Sequence, residues 1–348
     1  MEKRHRPFHY LFYRLLIWFS PAGGLPLVMR PLLITGCILI TGISLQLHAQ
    51  QLAATRYKDR VFTTVAVDKN ITYQPVPPAG AKAKYYLFDL YQPENDTGSS
   101  RPLIIWIHGG GFTFGNKNSR GIPLWCRRFA ERGYVCAAVN YRLSKANTLS
   151  DPTALINACA DAVEDINHSV SFFKSNHARY KIDTNRIILA GNSAGGMIAL
   201  QAVYSHVSLM RRTIQPETAA PVFNAAKIAA VINFWGGMFD TTWLRNARVP
   251  FVSVHGSKDR IVPPGHSGKG IYGSAIIHRY AGSLAIHNRL KMVEGYAHEL
   301  QKHFNPFWAG KAAHKRWEEA GQFAAAFLYE VSFNDNADAK NTAITWPN

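Results

Sequence analysis

The segment Gly191-Asn192-Ser193-Ala194-Gly195 constrains the fold of this chain more than any other part of the sequence. It follows the apolar run 186–190, which is typical of a buried strand, and precedes the helix-like run 196–200. Because a glycine lies two residues before and two residues after Ser193, the chain can turn sharply from strand to helix there. Such a turn exposes the serine hydroxyl to a base and to backbone N–H groups, so the segment predicts a serine nucleophile.

A glycine triplet further upstream supports this interpretation. The apolar run 103–107 is short enough for a buried strand and is followed at once by His108-Gly109-Gly110-Gly111-Phe112. Backbone N–H groups uncovered by side chains can stabilise an oxyanion, and the loss of one such donor costs about 3 kcal/mol of barrier. The sequence has no G-x-x-x-x-G-K-[ST] and no correctly placed dinucleotide-binding glycines. The triplet therefore predicts an oxyanion loop rather than a phosphate loop.

Asp259 is the candidate acid. It lies in the loop that follows the apolar run 249–255. An acid at the end of a strand can orient a histidine and stabilise its imidazolium form. An aspartate beside Ser and Lys is more often a solvated turn residue, so only its place in the chain order favours Asp259. Asp240, which follows the preceding strand, is the alternative acid.

His298 is the candidate base among fourteen histidines, because it lies in the loop after the predicted strand 290–293. His303 also follows that strand and is the alternative. Three other nearby histidines precede the strand, where a base would face the wrong way: His266, His278 and His287. His255 ends its own strand and is expected to be structural. If His298 titrates as an ordinary histidine, activity rises through about pH 6 to 7.

With the glycine-rich loop before them, Ser193, Asp259 and His298 occur in the order that resembles the α/β-hydrolase superfamily. The chain resembles its secreted carboxylesterase-like members, related to hormone-sensitive-lipase-type and type-B esterases, over about residues 60 to 335. The resemblance implies that Ser193 is the nucleophile, His298 the base and Asp259 its orienting acid.

The same resemblance implies that the oxyanion donors are the backbone N–H groups of Gly110, Gly111 and Ala194. Asn192 departs from the acidic residue that is common at its position in those esterases. The departure weakens the subfamily assignment but leaves the mechanism intact.

Short apolar runs alternate with helical segments along the chain, which predicts an α/β fold with a mostly parallel sheet and helices on both faces. Two leading antiparallel strands are expected at 61–67 and 84–91, and a small cap at 211–224. The later strands are expected near 103–107, 134–140, 186–190, 228–235, 250–255 and 290–293. The helices are expected near 120–132, 153–178, 194–209, 269–288 and 311–331.

Residues 1–49 have the composition of a leader. Residues 31–47 are apolar and almost uncharged, and Leu47-His48-Ala49 resembles a cleavage site. We expect a signal peptide at 29–49, with 1–28 an extension from an earlier start site, and a secreted or periplasmic protein. The alternatives are an uncleaved anchor and, less consistently, a lipoprotein with its lipid on Cys37. Residues 50–348 are then a single domain with no stable membrane span.

Charge and cysteine content limit the partners of this domain. The net charge of the full chain is +17 and comes from scattered lysines and arginines, which argues against a nucleic-acid site and leaves anionic surfaces or polysaccharides as loose partners. Cys136 is expected to be a buried strand thiol, while export would permit a disulfide between Cys126 and Cys159 that spacing cannot establish. No C-x-x-C or H-E-x-x-H pattern indicates a metal site, and we expect no cofactor.

The first functional hypothesis is a serine esterase that acts on small esters or on acetylated or feruloylated polysaccharides. A serine exopeptidase of the prolyl-oligopeptidase type shares the triad order, but 348 residues leave no room for its propeller domain. A non-catalytic binding protein on the same scaffold is the third hypothesis, and the intact triad argues against it. Four aromatic residues beside strand ends could line the cleft or pack in the core: Phe112, Phe114, Trp235 and Phe239.

Overall fold

A central sheet of eight strands organises the described chain from Arg56 onward. The computed structural model describes residues 55–212, 227–268, 270–301 and 312–333. The predicted leader at 1–49, most of the predicted cap and the alternative base His303 lie outside these residues.

The sheet is mostly parallel, as predicted. Its order is β1-β2-β4-β3-β5-β6-β8-β10, in which β2 is antiparallel to β1 and to β4, and all later neighbours are parallel. Two short strands, β7 and β9, pair antiparallel beside it. The strands are β1 (Val65–Thr72), β2 (Leu87–Pro93), β3 (Arg101–Ile107), β4 (Val135–Val139), β5 (Ile182–Asn192), β6 (Ala230–Phe234), β7 (Gly237–Met238), β8 (Phe251–Gly256), β9 (Tyr272–Gly273) and β10 (Asn288–Val293).

Helices occupy most of the connections between the parallel strands. They are α1 (Ile122–Ala130), α2 (Pro152–Ser175), α3 (His177–Tyr180), α4 (Ala194–Tyr204), α5 (Val207–Arg212), α6 (Ser274–Ser283) and α7 (Ala313–Phe333), with 3-10 turns at Ala83–Tyr86 and Thr241–Asn246. Within the described residues, no helix combines the length and apolar character needed to cross a membrane.

Both faces of the sheet are buried, which explains why the central strands read as continuous apolar runs. Along β3, Ile105 and Ile107 pack in the same core as α2 and α4. Ile104 and Trp106 point the other way and pack with α1 and α7. The loops at the carboxyl ends of β3, β5, β8 and β10 therefore gather at one edge, where a parallel sheet places its site.

The first strand lies later in the sequence than predicted. Residues 61–67 were expected to form it, but the backbone N–H groups of Val61 and Phe62 donate to the carbonyl of Glu131 after α1. Pairing with β2 begins only at Val65, is interrupted after Asp68 and resumes at Ile71 and Thr72. This strand is at the sheet edge, so its polar residues face solvent and give no apolar signal.

The cysteine positions argue against the disulfide that export would permit. Cys126 on α1 packs in the core on one face of the sheet, whereas Cys159 on α2 packs on the other. Cys136 is a buried thiol on β4, as expected, and all three thiols are free. The sheet therefore separates Cys126 from Cys159.

Candidate active site

Ser193 sits at a sharp turn between β5 and α4. Its backbone dihedrals are φ 53° and ψ −120°, a conformation that residues with a side chain rarely adopt. Its N–H donates to the carbonyl of Phe234 at 2.8 Å, and its own carbonyl accepts the N–H of Met197 at 3.0 Å as the helix begins. The neighbouring strand and the helix thus hold a strained residue whose side chain projects from the turn.

The flanking glycines allow this turn to pack against β3. A Cβ on Gly195 would lie 2.0 Å from the carbonyl oxygen of Ile107, and one on Gly191 would lie 2.4 Å from backbone atoms of Gly195. No side chain fits at either position without moving the backbone. The sequence inference from the two glycines thus has a direct steric basis.

The predicted base meets the predicted nucleophile. His298 Nε2 lies 2.9 Å from Ser193 Oγ, and both residues are buried. Burial lowers the pKa of His298 to about 4, against an opposing effect of the Asp259 charge and a smaller lowering by His255. Burial therefore places the pKa of His298 below the range of about pH 6 to 7 expected for an ordinary histidine. The imidazole is neutral at pH 7, and this is the form that can accept the serine proton.

Asp259 is buried beside this pair. Its Oδ1 accepts the N–H groups of Ile261 and Val262 at 2.8 and 2.9 Å. Its Oδ2 is buried and accepts no hydrogen bond from the described residues. Asp259 acts on His298 through its charge, and the backbone N of Leu300 lies 3.1 Å from His298 Nδ1.

The alternatives named from sequence have other contacts. Asp240 caps the 3-10 turn Thr241–Asn246 by accepting the N–H of Thr242 at 2.8 Å. His278 is buried against Asn288, with Nδ1 2.7 Å from the amide oxygen. His255 bonds Ser274 and the carbonyl of Val262, in keeping with the structural role expected for it.

The glycine triplet forms a loop whose backbone lies in the left-handed region from Gly110 to Phe112. Gly110, Gly111 and Phe112 have φ values of 120°, 56° and 65°. A Cβ on Gly110 would lie 2.0 Å from the carbonyl oxygen of Phe114, so the position needs glycine. The loop is held by its carbonyl groups: that of Phe112 accepts the N–H of Ser144 at 2.8 Å.

The carbonyl of Gly111 accepts the hydroxyl of Thr148. The backbone N–H groups of Gly110, Gly111 and Ala194, in contrast, donate to no group in the described part of the chain. These are the three donors that the resemblance implied. Their hydrogen-bonding capacity is available for an oxyanion formed at Ser193.

Asn192 links the oxyanion loop to the histidine loop. Its Oδ1 accepts the N–H of Gly109 at 3.1 Å, and its Nδ2 donates to Glu299 Oε1 at 3.2 Å. Sequence reasoning noted Asn192 as a departure but did not single out Glu299. The signal was the place of Glu299 directly after the candidate base.

Two cavities adjoin the elbow. The first, which we call the acyl pocket, has a volume of about 90 Å³ and is mainly apolar; it is lined by Ser193, Ala194, Gly111, Phe112, Thr148, Leu149, Leu155, Met197, Arg260, Ile261, Val262, Ile271 and Leu300. The second, the Glu299 cavity, has a volume of about 240 Å³ and is lined by Gly109, Gly110, Phe114, Gly115, Ser119, Arg120, Asn192, Glu299 and Leu300.

The four aromatic residues noted from sequence divide between cleft and core. Phe112 lines the acyl pocket although almost fully buried, and Phe114, 50% exposed, lines the Glu299 cavity. Trp235 is buried, and Phe239 packs against the core. No group of three or more His, Cys, Asp or Glu side chains in the described residues could hold a metal ion.

Known proteins with similar sequences include esterases. The family model BD-FAE matches residues 88–248. The probable carboxylic ester hydrolase LipM of Mycobacterium tuberculosis is 28% identical over 196 residues, which are 56% of this chain and 39% of that protein. A probable isoprenylcysteine alpha-carbonyl methylesterase of Oryza sativa is 32% identical over 151 residues, 43% of this chain and 31% of that protein. The chain spans 18% to 50% of the first four such relatives.

Solved structures give the same fold. Esterase 2 of Thermogutta terrifontis, phosphorylated by paraoxon, matches 78% of this chain and 96% of its own with a TM-score of 0.54 and 20% identity. Its propionate-bound form matches 77% and 95%, with a TM-score of 0.53 and 21% identity. With the parallel sheet, the glycine loop and the serine elbow described above, these similarities show an α/β-hydrolase fold and support a carboxylesterase-like family for this chain.

Proposed function

We propose that this protein is a serine carboxylic-ester hydrolase that acts through an acyl-enzyme on Ser193. The observation that carries the proposal is the 2.9 Å contact between Ser193 Oγ and His298 Nε2. The N–H groups of Gly110, Gly111 and Ala194, which have no partner in the described residues, support it. This arrangement supplies a nucleophile, a neutral base and oxyanion donors.

Acylation begins with attack of Ser193 Oγ on the ester carbonyl carbon while His298 Nε2 takes the hydroxyl proton. The carbonyl oxygen becomes an oxyanion that receives hydrogen bonds from the N–H groups of Gly110, Gly111 and Ala194. Collapse of this intermediate breaks the bond to the alcohol oxygen, which receives the proton from His298. The acyl group remains on Ser193.

Deacylation repeats these steps with water as the nucleophile. His298 takes a proton from water, the oxyanion forms in the same place, and the carboxylic acid leaves as Ser193 regains its proton. The charge of Asp259 favours the imidazolium that appears in both halves, since it raises the pKa of His298 against the effect of burial. Asp259 therefore stabilises His298 in the steps in which this histidine carries a positive charge.

The acyl pocket favours a short acyl chain. Its volume of about 90 Å³ is far below the few hundred Å³ of most small-molecule sites, and buried apolar side chains such as Leu155, Met197 and Ile271 form its walls. The Thermogutta esterase has been solved with propionate and with butyrate bound, which supports a similar preference here. We place the acyl chain in this pocket.

The alcohol portion then extends toward the Glu299 cavity. Phe114 offers an exposed aromatic face there, on which a sugar ring could stack, so a polysaccharide-linked ester remains the proposed natural substrate beside small esters. The leader composition supports export to the periplasm or the medium, where such esters occur.

A panel of acyl esters and aminoacyl amides, together with an organophosphonate label, tests this function. We expect hydrolysis of acetyl to butyryl esters, labelling of Ser193 alone, and a loss of about 10⁴-fold or more in kcat for Ser193→Ala. Ser257→Ala, which changes an exposed-loop serine bonded to Glu294, is the matched control and should behave as wild type. Faster cleavage of amides would favour the exopeptidase, and a label on another serine would contradict the proposal.

A further inference from the structure

Asn192 joins three loops that must keep a fixed geometry during ester hydrolysis. It directly precedes the nucleophile Ser193, its Oδ1 holds the N–H of Gly109 at 3.1 Å, and its Nδ2 contacts Glu299 Oε1 at 3.2 Å. Gly109 is followed by the two oxyanion glycines, and Glu299 follows the base His298. One side chain thus connects the nucleophile, the oxyanion loop and the histidine loop.

The polarity of this connection is fixed. Because Gly109 N–H can only donate, it requires the oxygen of the Asn192 amide, and the amide nitrogen must then face Glu299. Glu299 must in turn accept, as a carboxylate or a carboxyl oxygen does. An acidic residue at position 192 would place one carboxylate against another, so Asn192 and Glu299 fit each other as a pair.

The surroundings of Glu299 link it to the reacting groups. Burial raises its pKa to about 7, against hydrogen bonds from Asn192 and Trp235 that favour the ionised form. Asp259 acts to raise this pKa and Arg120 to lower it. A carboxyl group that is costly to bury, yet lies beside the oxyanion loop, has a strong need for the Asn192 hydrogen bond.

Building on the esterase activity proposed above, we propose that Glu299 is a positioning residue that holds the oxyanion loop in place through Asn192. It does not touch the reacting atoms. Its contact fixes the Asn192 amide, which fixes Gly109 and thereby the directions of the next two N–H groups. These donors stabilise the transition state more than the bound substrate, so the loss of Glu299 lowers kcat with little change in KM.

The sharpest test exchanges the donor and the acceptor between positions 192 and 299. Asn192→Asp should lower kcat by about tenfold or more, because a displacement of about 1 Å at a donor costs up to a hundredfold. Glu299→Ala should have a similar effect, whereas Glu299→Gln, which keeps an acceptor for Asn192, should stay within about threefold of wild type.

In Asn192→Asp/Glu299→Gln, the new amide can donate to the new carboxylate, which still accepts from Gly109. The double variant should recover most of the activity lost in Asn192→Asp.

Rates are expressed per active site titrated with the organophosphonate, so that misfolded protein does not count as a catalytic defect. Glu294→Ala is the matched control: it removes an exposed glutamate of the same loop, which bonds Ser257, and should leave kcat unchanged. The esterase proposal fails separately, if wild type hydrolyses no ester or Ser193 takes no label.

The positioning role is overturned if Glu299→Ala keeps the wild-type kcat per titrated site. It is also overturned if the double variant is no more active than Asn192→Asp, or if the loss in Glu299→Ala is entirely in KM. Recovery in the double variant supports the bridge, because a general loss of stability would add rather than cancel.

Discussion

Asp259 Oδ2 lies 3.5 Å from His255 Nε2, yet the two atoms share no hydrogen bond. His255 Nε2 instead donates to the carbonyl of Val262 at 2.8 Å, while Ser274 occupies its Nδ1 at 2.7 Å. His255 therefore packs against the Asp259 carboxylate without donating a hydrogen bond to Oδ2. That oxygen is a buried acceptor beside the base, and the Asp259 charge favours the imidazolium form of His298 without taking its proton.

Asp259→Asn should lower kcat by about 10⁴-fold, and His298→Ala by about 10⁶-fold, on a reactive acetyl ester. A misplaced imidazole still accepts a proton inefficiently, but a missing one cannot. Steady-state kinetics per titrated site measure both changes. Near-normal turnover in His298→Ala together with a loss in His303→Ala would transfer the base role to His303.

The acid limb of kcat/KM should lie well below pH 6. Burial penalises the charged imidazole and lowers the pKa of His298 to about 4, so the neutral base persists as the pH falls from 7 to 5. Asp259→Asn should move this limb to still lower pH, because the Asp259 charge raises the same pKa. Rates of a good ester from about pH 3.5 to 8 provide the measurement. A half-maximal rate near pH 6.5 would mean that His298 is solvated.

Gly195→Ala should lower activity strongly and destabilise the fold, since its Cβ would lie 2.0 Å from the Ile107 carbonyl oxygen. We expect kcat to fall by about 100-fold or more, with a lower melting temperature. Gly282→Ala is the matched control, because nothing lies within 4 Å of its Cβ. That variant should be fully active and up to about 1 kcal/mol more stable. Equal behaviour of the two variants would show that the elbow does not pack against β3.

Met197→Ala should broaden the acyl preference toward longer chains. Met197 is buried on α4 and lines the acyl pocket, so its truncation adds room for methylene groups. The ratio of kcat/KM for hexanoate over acetate esters should rise about tenfold or more, as each methylene is worth about 1 to 3 kcal/mol. Val203→Ala, also buried on α4 but away from the pocket, should leave the ratio unchanged. A rise in both variants would indicate loosening of the helix instead.

Export should remove the leader after Ala49. The apolar run 31–47 and the segment Leu47-His48-Ala49 predict a mature chain that begins at Gln50 or a close neighbour. N-terminal sequencing of protein recovered outside the cytoplasm checks this. A recovered chain that still begins before Pro31 would contradict cleavage.

The sequence was most informative where burial is complete. The central strands lie between two apolar layers, so β3 and the second half of β5 contain the apolar runs 103–107 and 187–190, each followed closely by glycine. The sequence prediction misplaced the edge strand β1 because the polar residues of this strand face solvent. Its pairing with β2 also starts only after Val61 and Phe62, whose N–H groups donate to the carbonyl of Glu131.

Contacts between distant loops were harder to predict. The bond between Asn192 and Glu299 joins residues 107 positions apart, and nothing in either local sequence indicates the partner. The helix predicted at 269–288 is confined to Ser274–Ser283, because β9 pairs with β7 before it begins. The pKa of His298 depends on burial by these loops, which the spacing of residues along the chain does not show.

The elbow at Ser193 is held by contacts among backbone atoms of β3, β5 and β6, whereas part of the acyl pocket wall comes from separate segments around Thr148–Leu155 and Arg260–Val262. Under the proposed function, part of the choice of acyl group is therefore encoded away from the nucleophile. Mutations can accumulate in the pocket segments and change the favoured acyl group while the nucleophile keeps its geometry. This separation provides an evolutionary route from one ester to another without passing through an inactive protein.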